Sequence, residues 1–208
     1  MNSVLKIKIC GLTSAGDLGV CQELGIDFTG FIFHPGSPRY VSPEKVGKWS
    51  RKNELRVGVF VSAAVQDVRE AVDRAGLDMV QLHGGQDPDF CNEVGPSRVM
   101  RTFWPERFQS SSDFQAELKR FEKACRYFLL DAGLNMGGHG RSIACDWLQE
   151  LKSPLPFFMA GGLGPDNLDL VLRTRAAGVD LNSGVEEGPG RKDLEKIKKA
   201  VNKLRGMK

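Results

Sequence analysis

A cysteine at the end of a short alternating segment is the first feature of this sequence with chemical potential. Residues 5–10 read Leu-Lys-Ile-Lys-Ile-Cys, and their apolar and polar side chains alternate with the period of two that predicts a β-strand. This spacing directs Lys6, Lys8 and Cys10 to one face, and Gly11 marks a turn directly after the thiol. A thiol beside an ammonium group can ionise near neutral pH, and the thiolate can act as nucleophile, metal ligand or base.

Two further side chains with acid or binding chemistry follow apolar or proline-rich segments. Asp131 ends the apolar run 128–130, where poor solvation raises the pKa of a carboxyl group and suits it to general acid catalysis. A turn cap is the alternative interpretation of Asp131. Arg39 ends the segment 34–39, whose two prolines restrict where the guanidinium points. A guanidinium binds a carboxylate through two parallel hydrogen bonds, so Arg39 is either a ligand contact or an ordinary surface arginine.

Glycine-rich turns follow two later predicted strands, at Gly161-Gly162 and at Ser183-Gly184. Glycine lets backbone N–H groups approach an anion closely, and a short helix at 185–187 would add its N-terminus. Each turn alone is equally typical of a tight turn with positive φ. Because both follow the last two predicted strands, together they predict a phosphate-binding site.

Several residues form a second set of candidates for the same pocket. Gln81 and His83 are two residues apart on a predicted strand and therefore share a face, although a lone histidine is more often structural. Asp180 could bind a sugar hydroxyl or could neutralise Lys6 or Lys8. Gly138 and His139 lie in a glycine-rich segment after Asp131.

The elements that would position these residues alternate along the whole chain. Eight apolar runs predict strands, and amphipathic segments between them predict helices that begin near Ser14, Ser42, Ala63, Asp87, Ser112, Cys145, Pro165 and Lys192. The predicted strands are Val4–Ile9, Phe28–Ile32, Leu55–Val61, Asp78–Leu82, Arg98–Phe103, Arg126–Leu130, Pro156–Met159 and Gly178–Leu181.

This order predicts an α/β protein in which residues 1–208 form a single (β/α)8 barrel domain. A doubly wound open sheet is the alternative. The count of eight strands favours the barrel, as does the lack of a GxGxxG motif after the first strand. Active sites of such barrels lie at the carboxyl ends of the strands, where all the candidate residues fall.

Composition limits the classes of function. The chain has 29 basic and 26 acidic residues, and a net charge of +3 favours a small anionic ligand over nucleic acid. Its five cysteines are scattered without a CxxC pair, which argues against a disulfide framework and a zinc site and predicts a cytoplasmic protein. No apolar stretch reaches the roughly 18 residues of a membrane span, so no membrane association is expected.

Taken in order, these motifs resemble the phosphoribosylanthranilate isomerase family, whose members are (β/α)8 enzymes of tryptophan biosynthesis. The resemblance covers essentially the whole chain. Any one motif is weakly diagnostic, but their ordered set is highly specific. The motifs are Lys8-Ile9-Cys10-Gly11, Ser37-Pro38-Arg39-Tyr40, Gln81-Leu82-His83-Gly84, Leu129-Leu130-Asp131, Ala160-Gly161-Gly162-Leu163 and Ser183-Gly184-Val185-Glu186.

The resemblance implies a reaction and roles for the site residues. The substrate would be N-(5′-phosphoribosyl)anthranilate, which undergoes an Amadori rearrangement to 1-(2-carboxyphenylamino)-1-deoxyribulose 5-phosphate without a metal or organic cofactor. Asp131 would be the general acid, Cys10 the general base and Arg39 the contact of the anthranilate carboxylate. The two glycine-rich turns would bind the phosphate. Family members are monomers or homodimers, and the implied partner is this phosphorylated small molecule.

One departure from the family pattern leaves alternatives open. The family usually has Gly-Gly-Thr/Ser-Gly in the loop that covers the substrate, whereas this chain has His139 at the third position. A histidine-pathway isomerase, which uses aspartate as the base on the first strand, is one alternative, and an enzyme with both substrates is another. A catalytically impaired barrel that binds phosphorylated metabolites is the third, and only His139 favours it.

Overall fold

Eight parallel strands close into a barrel in the computed structural model, which describes residues 5–131 and 147–206. Each strand pairs with the next along the chain, and the pairing of the first with the eighth closes the barrel. The prediction of a (β/α)8 barrel is confirmed. The strands are β1 Lys6–Ile9, β2 Phe28–Ile32, β3 Leu55–Phe60, β4 Met79–Leu82, β5 Val99–Phe103, β6 Tyr127–Asp131, β7 Phe157–Ala160 and β8 Gly178–Leu181.

Alternate residues of these strands fill the inside of the barrel with apolar side chains. The interior cluster consists of Phe28, Val57, Met79, Met100, Leu129, Phe158 and Ala160. The rings of Phe28 and Phe158 meet edge to face at 5.3 Å, and both also contact Tyr127 in this way. The barrel therefore has a packed floor, and a ligand can enter only from the open end of the strands.

Helices cover the outside of the barrel. They are α1 Ala15–Glu23, α2 Pro43–Gly47, α3 Val65–Ala75, α4 Pro88–Val94, α5 Ser111–Arg120 and α6 Leu194–Gly206. Three of them begin at the predicted caps, because Ser14, Ser42 and Asp87 each accept a hydrogen bond from the backbone N–H three residues on. The helix predicted to begin near Ser112 begins at Ser111, and Ser110 is its cap. The helix predicted to begin near Cys145 would start outside the described residues.

Two predicted helices differ in the structure. The segment predicted as a helix from Pro165 contains a 3₁₀-helix at Leu168–Arg173. Its buried residues Leu168 and Val171 are three apart, which suits the three residues per turn of a 3₁₀-helix. The short helix predicted at 185–187 is instead a 3₁₀ turn at Ser183–Val185, and it leads directly into a small hairpin.

That hairpin pairs β9 Glu186–Gly188 with β10 Arg191–Lys192 in antiparallel fashion at the open end of the barrel. In the part of the chain that the structure describes, no helix is both long and apolar enough to cross a bilayer.

Candidate active site

A cavity of about 470 Å³ opens at the carboxyl ends of the barrel strands. Predicted site residues from across the sequence line it, namely Cys10, Arg39, Gln81, His83, Asp131, Gly161, Gly162, Asp180 and Ser183. Gly184 follows the lining residue Ser183 but does not itself line the cavity, and Gly138 and His139 fall outside the described residues. The fold therefore brings together nearly all the residues that the motifs single out, and it does so around one concave surface.

Cys10 follows β1 and lies almost completely buried at the base of this cavity. Burial raises the pKa of its thiol, although the positive charges of Lys8 and Lys192 act in the opposite direction. An adjacent ammonium group therefore does not by itself lower the pKa of Cys10, since the effect of burial outweighs that of Lys8. Lys6, on the same face of the segment, is exposed and pairs with Asp27 at 2.9 Å.

Lys8 and Asp180 form a buried ion pair directly below the thiol. Lys8 Nζ lies 2.9 Å from Asp180 Oδ1, and its side chain has no exposed surface. Burial alone would lower the pKa of Lys8, but Asp180 and Cys10 together raise it above the ordinary value. Of the two interpretations of Asp180, neutralisation of Lys8 is therefore present in the structure, while Asp180 also retains a surface on the cavity.

Two glycines make room for the side chains around Cys10. Gly11 has a φ of +71°, and a Cβ there would lie 2.8 Å from Arg39 Cδ and 2.7 Å from Asn182 Oδ1. Gly30, on the neighbouring strand β2, leaves no room for a Cβ because that atom would lie 2.8 Å from Cys10 Sγ. The small residues thus allow Arg39 and the thiol to approach each other across the mouth of the barrel.

Asp131 is the last residue of β6, where it pairs in register with Ala160 of β7. Three fully or almost fully buried residues precede it on the strand, and Asp131 itself is half-buried and lines the cavity. Only β7 and β8 separate its strand from β1 around the barrel. The carboxyl group of Asp131 and the thiol of Cys10 therefore face the same cavity from different strands.

Gln81 and His83 share a hydrogen-bonding cluster with Thr102 on the wall of the cavity. His83 Nδ1 lies 3.2 Å from Thr102 Oγ1, and the imidazole packs edge to face on Trp104 with the ring centroids 5.1 Å apart. Burial lowers the pKa of His83 to about 4, so its ring is neutral at pH 7. Gln81 Oε1 is buried and accepts no hydrogen bond from the described residues.

The two glycine-rich turns lie against each other at the rim of the cavity. Gly161 and Gly162 have φ values of +108° and +71°, and a Cβ at Gly184 would overlap the carbonyl oxygen of Leu163. Within residues 5–131 and 147–206, no acceptor is bonded to the backbone N–H groups of Gly161, Gly162, Ser183 or Gly184. Glycine is thus required at both turns, which leave backbone donors free at their meeting point.

Arg39 binds a carboxylate of the protein itself, and no sequence pattern predicts this contact. Its Nη2 lies 2.6 Å from Glu186 Oε2, and Glu186 also pairs with Lys192 at 2.9 Å. The sequence predicts Glu186 as part of a short helix and of the Ser183-Gly184-Val185-Glu186 motif, and Lys192 as the start of the last helix. The one sequence signal for them is that charged residues follow so closely on the Ser183-Gly184 turn, at the open end of the barrel.

Comparison with known proteins identifies the family of this chain. The model of the family described as N-(5'phosphoribosyl)anthranilate (PRA) isomerase matches residues 7–203. The N-(5'-phosphoribosyl)anthranilate isomerase of Maridesulfovibrio salexigens is 43% identical over 194 residues, which cover 93% of this chain and 95% of the relative. That of Desulfovibrio desulfuricans is 43% identical over 198 residues, covering 94% and 93%.

Solved structures of similar proteins have the same fold. The phosphoribosyl anthranilate isomerase of Thermotoga maritima superposes with a TM-score of 0.84 at 29% identity, covering 98% of this chain and 100% of the other. A phosphoribosyl anthranilate isomerase in complex with reduced 1-(o-carboxyphenylamino)-1-deoxyribulose 5-phosphate gives 0.80 at 28% identity, with the same coverage. On the family match and these similarities, the chain belongs to the N-(5′-phosphoribosyl)anthranilate isomerase family.

Proposed function

We propose that Cys10 and Asp131 are the two proton-transferring groups with which this chain isomerises N-(5′-phosphoribosyl)anthranilate. The isomerase activity follows from membership of the family. The observation that carries the assignment of the two residues is that the thiol and the carboxyl group line one cavity at the open end of the barrel. An aldose–ketose isomerisation needs one group to give a proton and another to remove one.

In the first step Asp131 gives its proton to the ring oxygen of the ribose. The bond between C1′ and this oxygen breaks, and the lone pair of the anthranilate nitrogen forms an iminium ion with C1′. A carboxyl group is a common general acid, and Asp131 lines the cavity at the end of its strand.

In the second step Cys10 removes the proton from C2′. The electrons of the C2′–H bond form the C1′–C2′ double bond, and the iminium nitrogen accepts an electron pair to give an enolamine, which tautomerises to the ketone. The cationic iminium and Lys8 both favour the thiolate, which opposes the effect of burial on the pKa of Cys10. Because the acid must hold its proton and the base must have lost its own, kcat/KM is expected to follow a bell-shaped pH profile that falls at both low and high pH.

The remaining candidates are assigned to binding. Arg39 would contact the anthranilate carboxylate, and the free backbone donors of the two glycine-rich turns would bind the phosphate. Gln81 Oε1 is a buried acceptor on the cavity wall without a partner among the described residues, which suits it to a ribose hydroxyl. The neutral ring of His83 and the side chain of Asp180 complete the wall of the cavity around the sugar.

Steady-state kinetics of two variants test the assignment. Loss of the fluorescence of the substrate gives the rate, and both Cys10→Ser and Asp131→Asn are expected to lower kcat by about 10²–10⁴-fold, the usual contribution of a general acid or base. Cys21→Ser is the matched control, because Cys21 is also a buried cysteine but lies on α1, away from the cavity. A folded Cys10→Ser enzyme with near-native turnover would contradict the assignment.

A further inference from the structure

The guanidinium of Arg39 is held along one edge. Its Nε lies 2.9 Å from Glu186 Oε1 and its Nη2 2.6 Å from Glu186 Oε2, which is the paired geometry of a strong arginine–carboxylate contact. A guanidinium is planar and carries five N–H donors. With the Nε/Nη2 edge occupied, the Nη1/Nη2 edge is the one left for a ligand, and among the described residues nothing accepts a hydrogen bond from Nη1.

Glu186 is itself fixed by a buried ammonium. Only 3% of its side chain is exposed, and Lys192 Nζ, which is fully buried, lies 2.9 Å from Oε1. Lys192 also donates to Asn182 Oδ1 at 3.0 Å, and Asn182 lies on the cavity. Arg39, Glu186 and Lys192 together carry two positive charges and one negative charge. The cluster therefore keeps a net charge of +1 beside the cavity, even though Arg39 is paired.

The hairpin that carries Glu186 and Lys192 is anchored to the barrel from several sides. Lys196 of α6 donates to the backbone oxygen of Glu186 at 2.8 Å, and Thr13 donates to the backbone oxygen of Gly190 at 2.9 Å. Gly190 N–H donates in turn to Glu186 Oε1 at 3.3 Å. The carboxylate thus has donors on both oxygens and little freedom to move, so it can act as a fixed reference for Arg39.

We propose that Glu186, supported by Lys192, is a positioning residue that turns the Nη1/Nη2 edge of Arg39 toward the cavity and so sets the selectivity of the site for a ligand with a planar carboxylate. The proposal rests on the assignment of Arg39 to the anthranilate carboxylate. Two parallel hydrogen bonds need both partners in one plane, so an arginine already fixed along its Nε/Nη2 edge loses less freedom when the ligand binds.

The direct test is Glu186→Gln, which keeps the shape of the side chain and removes its charge. Because the carboxylate of the ligand is bound equally in the ground state and in the transition state, KM is expected to rise about 10–100-fold while kcat stays within about threefold. Glu187→Gln is the matched control, because Glu187 lies on the same strand but, within the described part of the chain, forms an ion pair only with the exposed Arg191. Its kinetic constants are expected to stay at wild-type values.

The double variant Arg39→Ala/Glu186→Gln shows whether Glu186 acts through Arg39. If it does, Glu186→Gln raises KM in the wild-type background but not in the Arg39→Ala background. Additive effects on KM would overturn the proposal, as would a fall in kcat at unchanged KM. A high KM for Arg39→Ala with an unchanged KM for Glu186→Gln would also overturn it and would leave the role of Arg39 intact.

A further result distinguishes failure of this proposal from failure of the assignment of Arg39 to the anthranilate carboxylate. An unchanged KM in Arg39→Ala would refute the contact of Arg39 with the carboxylate and, with it, the positioning role. If Glu186→Gln does not fold, as judged by circular dichroism, Glu186→Asp serves instead, since it keeps the charge but withdraws it by one methylene. It is expected to raise KM by a smaller factor than the loss of Arg39, and an unchanged KM in this variant would overturn the proposal.

Discussion

A methyl group placed beside Cys10 offers a sensitive probe of the proposed base. In Gly30→Ala the new Cβ would lie 2.8 Å from Cys10 Sγ and 3.0 Å from Cys10 Cα. Ordinary contacts between such atoms are about 3.5–4 Å, so the thiol has to withdraw by roughly 1 Å. A displacement of this size at a reacting group lowers the rate on the order of 100-fold. We therefore expect kcat to fall by about that factor while phosphate and carboxylate contacts, and hence KM, change little.

The measurement is the fluorescence assay together with urea unfolding. Gly30→Ala is expected to lower the free energy of unfolding by about 1–3 kcal/mol, the usual range for overpacking a core. Gly19→Ala is the matched control, since Gly19 lies in α1 and a Cβ there meets no atom within 4 Å. That variant should keep full activity and gain up to about 1 kcal/mol from helix propensity.

The double variant Gly30→Ala/Cys10→Ala separates crowding from catalysis. Removing Sγ removes the shortest of the three contacts, so part of the lost stability should return while activity stays low. A folded Gly30→Ala enzyme with wild-type kcat would refute the reasoning, because the position of the thiol would then be irrelevant to the rate.

Two further predictions concern buried charges and pH. Lys8→Met leaves Asp180 without its partner and should lower the free energy of unfolding by about 3–5 kcal/mol, whereas Lys8→Met/Asp180→Asn should recover at least half of that loss in urea titrations. Equal stability of the single and double variants would contradict this. His83 has its pKa lowered to about 4 by burial, whereas an unfolded histidine titrates near 6.5. Because the unfolded chain then binds more protons as the pH falls, stability is complete above pH 6.5 and decreases toward pH 4. The loss is about 2 kcal/mol between pH 7 and pH 5, and His83→Asn should abolish this part of the pH dependence. Identical pH dependence in the two proteins would exclude His83 as its source.

The strands were predictable because parallel barrel strands are short apolar runs between glycine and polar residues. The predicted boundaries of β1 and β7 differ from the structure by no more than two residues. The helix prediction for the segment after β7 was wrong. Pro165 and Asp166 are typical of a helix start, whereas the buried side chains of Leu168 and Val171 recur at a spacing of three. Short apolar segments do not distinguish these two periods well.

The sequence predicts which chemical groups line the site, but not how deeply they are buried or how burial shifts their pKa values. Alternation assigns Lys8 and Cys10 to one face, yet it cannot tell how deeply they are buried, and burial decides the direction in which the pKa of Cys10 moves. The contact between Arg39 and Glu186 joins residues 147 positions apart, and no local pattern encodes it. Such contacts follow only from the closure of the barrel, which brings the turns after β2 and β8 together.

Because the pairing of β1 with β8 closes the barrel, it also affects how the site is assembled when the chain folds. The first half of the chain supplies the thiol and the guanidinium, whereas the second half supplies the carboxyl group and the two glycine-rich turns. The complete lining of the cavity is therefore present only when both halves lie together in the closed ring. Substrate binding then stabilises the molecule against global unfolding, because no smaller unit carries the site.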